Sequence, residues 1–513
     1  MFHPLLFVDK FLNSITIYRL VLYGLFIIAF FGVAFGFLEI LPLNGLHMLL
    51  SLVILIFSSA SVNYFLGYLF KVPVNSESSY ITALILFLIL PPAGTLFTAI
   101  LLVVASIVAM TSKFLINLKG KHVFNPAAFG ALVIGLGVFI GPAFFAPTWW
   151  VGSMVMLPIV TVIGLLVVRK IQRFDLLFAF LGVVVIACFG LSIYYGDSFL
   201  ELLRITAVSG PVIFFGTIML TEPLTSPPTQ KMRIAYGALV GFLFMIPYHI
   251  GSLYSTPELG LLIGNAFAYF VSPKERLILQ LKEKLQLAPM VYDFIFTPNQ
   301  KMSFTAGQYM EWTLDHKSDG RGNRRFFTIA SSPTESEIHM GIKVPADPSS
   351  FKKALLDLEP GDELMAGGLA GEFNLPKNSS EKIVAIAGGV GITPFRSMIK
   401  AMVDTGNKRD LTLFYVSSHE QEFVYKDVLT SAESVGVKTV YLLSVPNGQQ
   451  LPSTWKGHTG FITKELLVKE VPDFLERSYY ISGPPGMVQA YKTLLVSVGV
   501  SRSKITTDYF PGY

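Results

Sequence analysis

The chain has 513 residues, which is enough for two or three domains. Hydrophobic residues make up 52% and charged residues only 14%, so a single water-soluble domain is excluded. The net charge of +5 is explained by Lys and Arg that flank apolar segments, so no nucleic-acid partner is predicted. The single cysteine, Cys188, excludes internal disulfides and clusters held by four thiolates, and no metal site is predicted.

Charged residues are sparse before Pro273 and dense after it, which predicts an all-α transmembrane electron-transfer domain over residues 1–273. About ten apolar segments precede this boundary, and most reach the ~20 residues that span a bilayer. The third is short and ends at Pro91-Pro92, which predicts a half-helix or an interrupted span. The segments cover approximately residues 17–40, 46–70, 78–92, 94–117, 126–143, 148–168, 175–195, 199–221, 234–253 and 256–272.

The basic loop residues predict how the chain lies in the membrane. Lys71, Lys121, Arg173, Arg233 and Lys274 occupy alternate loops, whereas the opposite loops lack Lys and Arg. By the positive-inside rule the basic side is cytoplasmic, and an even number of spans leaves both ends of the chain there. We therefore predict a multi-pass protein of the cytoplasmic membrane whose C-terminal part faces the cytoplasm.

Two halves of the apolar region resemble each other. The runs that begin at Ile85 and Ile218 each contain an apolar stretch, a Pro-Pro and another span. Asn125-Pro and Gly264-Asn then follow at loosely comparable distances. Paired interrupted segments indicate an inverted repeat with a binding site at the interface of the halves. A duplication with a purely structural role explains the same pattern.

Beyond residue 277 short motifs follow one another in a fixed order. An Arg such as Arg325 offers a fixed charge and two parallel donors for a diphosphate. A strand that runs into a glycine-rich turn and a helix lets the backbone approach a pyrophosphate. The motifs are Gly307-Gln-Tyr309, Arg325-Phe-Phe327-Thr328 followed by Ile-Ala-Ser-Ser-Pro333, Gly368-Leu-Ala-Gly371-Glu-Phe373, Gly388-Gly389-Val-Gly391-Ile-Thr393, a second strand from Leu411 to Ser417, and Tyr480-Ile-Ser482-Gly483-Pro484-Pro-Gly486.

On these motifs, residues 277–513 resemble the ferredoxin–NADP reductase superfamily. The resemblance implies an antiparallel FAD-binding β-barrel over 277–378 and an α/β Rossmann-like NAD(P)-binding domain over 379–513. It implies an NAD(P)H-dependent FAD oxidoreductase in which Thr328 and Ser482 lie at the hydride-transfer centre. The implied cofactor residues are Arg325, Phe327, Thr328, Ser349, Ser350 and Gly371 for FAD, and Gly388, Gly389, Gly391, Thr393, Gly483 and Pro484 for the nicotinamide nucleotide.

Two positions depart from that family's pattern. Ser482 stands where the family commonly has Cys, and Phe327 stands in for the usual Tyr. NADPH-preferring members place an Arg soon after a Ser that corresponds to Ser417, whereas this chain has Glu420 nearby, so NADH is favoured over NADPH. The aromatic C-terminal tail ending at Tyr513 either covers the flavin or packs on the domain.

The stretches SYITALILFLILPP, HVFNPAAFG, FFGTIMLTEPLTSPPT and TPELGLLIGNAFAYF lie within residues 75–273. They resemble a flavin-carrying family of membrane subunits, found in the Na⁺-translocating NADH:quinone reductase and in the Rnf electron-transport complex. That resemblance implies ten helices in two inverted halves holding riboflavin and FMN, with Asn125, Thr221 and Glu222 at the cofactor. The family's covalent-FMN tetrapeptide is missing, so a noncovalent flavin is expected. For Glu222, a helix-capping role beside Pro223 remains the alternative.

Together these features predict a membrane-bound oxidoreductase. NAD(P)H reduces FAD, and electrons pass to a membrane flavin and on to a quinone or an acceptor across the membrane. Only His47 and His249 lie in apolar spans, so paired haem ligands are not predicted. An NADH-driven ion pump and a membrane-anchored reductase of soluble acceptors remain the alternatives, and further electron-transport subunits are candidate partners.

Overall fold

The structure is a computed structural model. It describes residues 8, 11–12, 15–70, 76–118, 121–139, 141, 145–250, 253–272, 276–317, 319, 323–444 and 455–508. The chain divides into two compact units, residues 1–274 and 275–512. Tyr513, the proposed flavin cover, lies outside the described residues.

The first unit is helical, because apolar segments without water must pair their backbone groups internally. Thr16, Thr95, Asn125 and Thr256 each begin a helix as an N-cap whose side chain accepts a backbone N–H. Helix α9 continues as a π-helical turn, Phe215–Met219. The helices are α1 Ile17–Phe37, α2 Gly45–Phe70, α3 Ser76–Ile89, α4 Leu96–Leu115, α5 Pro126–Leu136, α6 Leu157–Ile171, α7 Phe174–Tyr195, α8 Phe199–Ser209, α9 Val212–Phe214, α10 Gln230–Met245 and α11 Pro257–Val271.

Each of the ten predicted apolar segments contains a helix among the described residues. Four helices, α1, α2, α4 and α7, are long and apolar enough to cross a membrane, and a fifth span results if α8 and α9 count as one bent span. Helix α3 has only 14 residues and ends just before the Pro91-Pro92 pair, where proline prevents a helix from continuing. The chain is therefore a membrane protein, and the count of ten spans stays a prediction.

The predicted duplication reappears in the order of the elements. Helix α4 is followed by a two-stranded ribbon, β1 Asn117–Leu118 with β2 Lys121–His122, and then by α5. Helix α10 is likewise followed by a two-stranded ribbon, β3 His249–Ile250 with β4 Leu253–Tyr254, and then by α11. In each half a short helix and a Pro-Pro stretch precede this helix–ribbon–helix arrangement.

The second unit begins with a six-stranded antiparallel sheet in the order β8-β7-β10-β5-β6-β9. Its core contains Phe294, Phe296, Trp312 and Phe351, all fully buried. Beyond β8, the Ala330 amide donates to the His339 carbonyl, 2.9 Å, which adds a link to β9. The predicted closure into a barrel stays a prediction. The elements are β5 Arg276–Ala288, β6 Val291–Pro298, β7 Tyr309–Thr313, β8 Arg324–Thr328, β9 Ile338–Lys343, α12 Ser350–Asp357 and β10 Glu363–Ala370.

The rest of the second unit is a six-stranded parallel sheet in the order β14-β13-β12-β11-β15-β16. Every residue of β11 and β12 is buried, which explains why both read as continuous apolar runs. The elements are β11 Ile383–Gly388, α13 Thr393–Thr405, β12 Leu411–Ser417, α14 Lys426–Ser431, β13 Val437–Leu443, β14 His458–Thr459, α15 Lys464–Glu470, β15 Ser478–Ser482, α16 Pro485–Ser497 and β16 Ile505–Thr507.

Candidate functional site

Two glycine-rich turns lie side by side at the carboxyl edge of the parallel sheet. One follows β11 and the other follows β15, and Ala387 is the register partner of Ser482. The chain passes from β11 to β12 on one side, whereas β15 and β16 lie on the other side of β11. The turns therefore flank the point where the strand order reverses, which is where open α/β sheets bind their ligands.

Close contacts with backbone at Gly391, and with the Met487 and Pro484 side chains at Gly388, leave no room for a side chain on either glycine. A Cβ on Gly391 would lie 2.5 Å from the carbonyl oxygen of Ser482 and 2.6 Å from Cα of Gly483. A Cβ on Gly388 would lie 3.1 Å from Cδ of Pro484. The predicted residues of the two motifs are thus brought into direct contact.

The first turn leads straight into a helix. Gly389 has φ +52°, a left-handed conformation that favours glycine. Residues Gly389–Ile392 form a 3₁₀ turn, and α13 begins at Thr393, whose hydroxyl donates to the Val390 carbonyl at 3.1 Å. The free N–H groups of such a helix start attract phosphate, so the turn has the donor set that a pyrophosphate requires.

Ser482 has a partner that the sequence did not reveal. Its side chain is buried, and its Oγ donates to Oδ2 of Asp508, 3.0 Å. The Asp508 amide in turn donates to the Ile481 carbonyl, 2.9 Å. Because the carboxylate holds the hydroxyl proton, Ser482 is left as a hydrogen-bond acceptor towards a ligand.

Strand β8 and the start of α12 bring the predicted FAD residues together. The rings of Phe327 and Phe351 have centroids 5.9 Å apart, and the Arg325 guanidinium carbon lies 5.4 Å from the centre of the Phe351 ring. Nη2 of Arg325 is 3.9 Å from Oδ1 of Asp319, and the Arg325 side chain is 7% exposed. Phe351 was not singled out from the sequence, although it directly follows the Ser349-Ser350 motif.

The two serines occupy the start of α12. Ser349 is the N-cap, and its Oγ accepts the Lys352 amide at 3.4 Å. The Oγ of Ser350 accepts the Asp319 amide at 2.9 Å, which connects the helix start to the residue facing Arg325. A guanidinium beside a helix N-terminus is a donor set that fits a diphosphate.

Thr328 and Gly371 lie on either side of Tyr309. Thr328 ends β8, is 5% exposed and is the register partner of Tyr309. Gly371 has φ +109°, and a Cβ there would lie 3.1 Å from the Tyr309 ring. The motifs that contain these three residues therefore meet at the end of the antiparallel sheet.

The end of β12 carries acidic residues. Ser417 donates from its Oγ to Oε2 of the buried Glu422, 3.0 Å, and Glu422 is ion-paired with Lys343, 2.5 Å. Glu420 begins the short turn that contains Glu422. The end of β12 thus has one carboxylate, Glu422, that is paired with Lys343, and a second acidic residue, Glu420, in the same turn.

In the membrane unit, Asn125 and Glu222 form a polar cluster with residues of the second half. The Asn125 side chain donates to Oε2 of Glu222, 2.9 Å, and its backbone N–H donates to Oδ1 of Asn265, 2.9 Å. Glu222 also accepts from Thr225 at 2.9 Å and contacts His122 at 3.4 Å. Asn265 was not among the predicted residues, although it belongs to the second of the paired motifs.

Two further contacts define this cluster. The Asn265 amide group donates to the Tyr236 hydroxyl, 3.0 Å, and to the Thr225 carbonyl, 3.1 Å. The buried Thr221 hydroxyl donates instead to the Thr217 carbonyl of the preceding turn, 2.7 Å. The structure thus joins Asn125 to Glu222, whereas the Thr221 hydroxyl bonds to its own helix.

Comparison with known proteins finds a family match in each part of the chain. Residues 136–276 match the profile of the NQR2, RnfD, RnfE family, and residues 385–493 match that of the oxidoreductase NAD-binding domain. The C-terminal unit is thus similar to nicotinamide-dependent reductases, among them NADH-cytochrome b5 reductase 1 of Kluyveromyces lactis, which is 25% identical over 253 residues, 46% of this chain and 87% of that protein. The chain joins this reductase-like unit to a helical unit that is similar, over residues 136–276, to the NQR2, RnfD, RnfE family.

Individual relatives match part of the chain. The glycine betaine monooxygenase reductase subunit of Chromohalobacter salexigens is 29% identical over 224 residues, 43% of this chain and 60% of that protein. The F subunit of the Na(+)-translocating NADH-quinone reductase of Methylococcus capsulatus is 30% identical over 204 residues, 37% of this chain and 49% of that protein. The chain thus spans 60% of the first relative's length and about half of the second's. The structure of the cytochrome b5 reductase domain of Ulva prolifera nitrate reductase matches 47% of this chain and 99% of that chain, with 21% identity and a TM-score of 0.40.

Proposed function

We propose that the chain is a flavoprotein of the cytoplasmic membrane that oxidises NADH and sends the electrons into the membrane. The acceptor is a quinone or a compound on the far side, reached through a flavin of the membrane unit. FAD, when bound, accepts two electrons as hydride and can release them singly, which a one-electron carrier requires. The reductase unit lies on the cytoplasmic side in this proposal, because the basic loops face that side.

The observation that carries the proposal is the meeting of the two glycine-rich turns at the switch point of the parallel sheet. Gly391 and Ser482 are in backbone contact there, so the nucleotide-binding turn and the Ser482-Gly483-Pro484 turn form one site. The antiparallel sheet of the same compact unit carries the matching set for FAD. Both cofactors of a hydride transfer can therefore be held in one unit.

The side chains of the chain hold and orient the cofactors. Arg325 and the N–H groups at the start of α12 suit the diphosphate of FAD, and Phe327 supplies an aromatic face for the flavin ring. Ser482, whose proton is held by Asp508, accepts a hydrogen bond from the nicotinamide carboxamide. The start of α13 at Thr393 receives the pyrophosphate of the nucleotide.

For the membrane unit we infer that Asn125, Thr221 and Glu222 lie beside a noncovalent FMN or riboflavin. The support is the family match at residues 136–276, the repeated helix–ribbon–helix order and the polar cluster that joins the paired motifs. The Glu222 carboxylate already has three partners within the protein. We therefore infer that the cluster shapes the flavin site and holds a fixed charge near it.

Flavin analysis of the full chain tests the proposal. The detergent-purified protein is denatured in acid, and the released flavins are separated by chromatography. FAD together with FMN or riboflavin, at about one of each per chain, supports a flavin path through the membrane. FAD alone contradicts that path and leaves a membrane-anchored reductase. Absence of FAD, or failure of NADH to bleach the bound flavin, overturns the reductase assignment itself.

Ion translocation driven by NADH oxidation is the second candidate function, and one observation supports it. Glu258, at the start of α11, is buried; its Oε1 accepts the Trp149 indole N–H at 2.6 Å, and its Oε2 has no hydrogen-bond partner among the described residues. Carboxyl groups buried in membrane segments are typical of ion and proton pathways. Sodium or proton uptake by proteoliposomes during NADH oxidation, lost on Glu258→Gln, would establish this function, and tight vesicles without uptake would exclude it.

A further inference from the structure

The nucleotide-binding helix is joined to the flavin-binding strand by a buried ion pair. Arg396, in the first turn of α13, places both terminal nitrogens on the carboxylate of Glu335, and the Nη2–Oε1 distance is 2.9 Å. Its Nη1 also donates to the carbonyl oxygen of Ala330 at 3.1 Å. Next to it, Ser397 donates from Oγ to the Ser331 carbonyl at 2.6 Å. The start of α13 thus makes these bonds with one segment, residues 330–335.

The partner segment is itself held rigid and follows directly on the flavin strand. Ala330 lies two residues after Thr328, the last residue of β8. Within the segment, the Ser332 amide donates to Oε2 of Glu335 at 2.5 Å, and the Glu335 amide donates to the Ser332 carbonyl at 3.0 Å. The carboxylate that receives Arg396 is therefore fixed by the backbone of its own turn.

The ion pair between Arg396 and Glu335 is buried, so its strength depends closely on the distance and angle between the two groups. Arg396 is 6% exposed, and its guanidinium lies 5.6 Å from the centre of the Tyr425 ring. Burial by itself would lower the pKa of Arg396, but the hydrogen bonds and charge of Glu335 raise it, so the group stays cationic. A two-pronged guanidinium–carboxylate pair fixes both distance and angle, which a single ammonium group cannot do.

The position of the pair connects it to both cofactor sites. Thr393, at the nucleotide turn, lies one helical turn before Arg396. Thr328, the last residue of the proposed flavin-binding strand, lies two residues before Ala330, whose carbonyl oxygen accepts a hydrogen bond from Arg396. Any displacement of Arg396 relative to Glu335 therefore shifts the nicotinamide-binding turn relative to the flavin-binding strand.

We infer that Arg396 is a positioning residue that sets the distance and angle between nicotinamide and flavin through its paired contact with Glu335. The inference rests on the proposed hydride transfer from NADH to FAD. Hydride transfer requires reacting atoms at ~3–3.5 Å, and a displacement of about 1 Å costs up to ~10²-fold in rate. Arg396 acts in this arrangement through its bonds to Glu335 and Ala330.

Single-turnover kinetics of the full chain test the inference. The wild type, Arg396→Leu and Arg396→Lys are mixed anaerobically with NADH, and flavin bleaching is followed as a function of NADH concentration. The limiting rate reports hydride transfer, and the half-saturating concentration reports NADH binding. The transient charge-transfer absorbance between nicotinamide and flavin gives an independent measure of their geometry.

A matched control separates positioning from general destabilisation. Arg477 is similarly buried, with both terminal nitrogens on Asp410 at 2.6 and 2.9 Å, and its Nε contacts Asp473 at 2.7 Å. All three residues belong to the α/β part, so this pair does not reach the flavin strand. Arg477→Leu removes a comparable ion pair without loosening the connection between the two cofactor sites.

We expect Arg396→Leu to lower the limiting rate by about 10- to 100-fold with NADH binding changed less than about twofold. The charge-transfer absorbance should weaken, Arg396→Lys should recover part of the rate, and Arg477→Leu should match the wild type. Equal limiting rates for Arg396→Leu and Arg477→Leu would overturn the inference. If Arg396→Leu loses FAD, Arg396→Lys decides the question, and an unchanged limiting rate and absorbance in that variant overturn it. Failure of the wild type to be reduced by NADH would contradict the proposed function instead.

Discussion

The backbone N–H of Asn125 donates to the side-chain oxygen of Asn265, N···O 2.9 Å, across 140 residues of sequence. Asn125 caps α5, and Asn265 lies within α11, so each residue belongs to the last helix of one helix–ribbon–helix arrangement. The two motifs that look like copies in the sequence are therefore bonded to each other. This bond and the contacts of Glu222 with Asn125 and His122 join the two halves through polar groups.

Replacing Asn265 should destabilise the membrane unit and leave the reductase unit intact. Asn265→Ala leaves three buried groups without their partner: the Asn125 N–H, the Thr225 carbonyl and the Tyr236 hydroxyl. Unsatisfied buried groups cost about 1–3 kcal/mol in the free energy of unfolding. Thermal unfolding in detergent should show the loss, while the rate of FAD reduction by NADH stays at the wild-type value. An unchanged unfolding temperature in Asn265→Ala would mean that the polar cluster does not hold the two halves together.

Neutralising Glu222 should interrupt the membrane path selectively. Glu222→Gln keeps the shape of the side chain but removes the charge and one acceptor that Asn125 and Thr225 share. We expect quinone-linked NADH oxidation to fall at least about tenfold, while oxidation with a soluble acceptor is unchanged. Glu201→Gln is the control, because Glu201 belongs to the same unit but is exposed and pairs with Arg204 at the surface. Equal quinone-linked rates in the two variants would remove Glu222 from the path.

A methyl group at the nucleotide turn should weaken NADH binding. In Gly391→Ala the new Cβ would meet the Ser482 carbonyl oxygen at 2.5 Å, so one of the two turns must shift. We expect the Michaelis constant for NADH to rise about tenfold or more, because the backbone can no longer approach the pyrophosphate. Gly486→Ala is the matched control, since a Cβ there would meet no atom within 4 Å apart from its chain neighbours and the backbone of its own helix. Similar Michaelis constants for both variants would place the nucleotide elsewhere.

The acidic end of β12 should give a preference for NADH. Glu420 lies three residues after Ser417, and its carboxylate would repel a 2′-phosphate bound at the end of β12, whereas the charge of Glu422 is paired with Lys343. We expect kcat/KM for NADH to exceed that for NADPH at least about tenfold, corresponding to ~1.4 kcal/mol. Glu420→Arg should lower this ratio, mainly by lowering the KM for NADPH. Glu422→Gln should in addition remove the ion pair with Lys343. A higher kcat/KM with NADPH in the wild type would contradict the assignment.

The sequence predicts the position of a site residue best when the residues of its motif are adjacent in the chain. The turn Gly388–Thr393 and the turn at Gly483 each follow a buried strand, so their place at the sheet edge could be read from the chain. Arg325, Ser349 and Ser350 follow from the family resemblance, and the structure places Arg325 and Ser350 beside Asp319, with Arg325 also facing the Phe351 ring. The FAD and NADH roles of these residues stay predictions.

Long-range partners could not be predicted. Arg396 and Glu335 are 61 residues apart, and nothing in their neighbourhoods distinguishes a buried ion pair from two surface charges. The same holds for Ser482 with Asp508, which only the pairing of β15 with β16 brings together. The prediction of ten spans rests on the length of the apolar segments. The helices α3, α5 and α11 are shorter than a membrane span, so the length of an apolar segment does not by itself give the number of spans.

One chain is proposed to bind two flavins that accept electrons from NADH, an FAD in the reductase unit and a second flavin in the membrane unit. Anaerobic titration of the purified full chain with NADH, followed by flavin absorbance, measures the reducing equivalents taken up per chain. We predict about two NADH per chain, because FAD and a membrane flavin each accept two electrons. Glu222→Gln should retain the phase that belongs to FAD. Saturation at about one NADH per chain, with all flavin absorbance lost in a single phase, would contradict storage in the membrane unit.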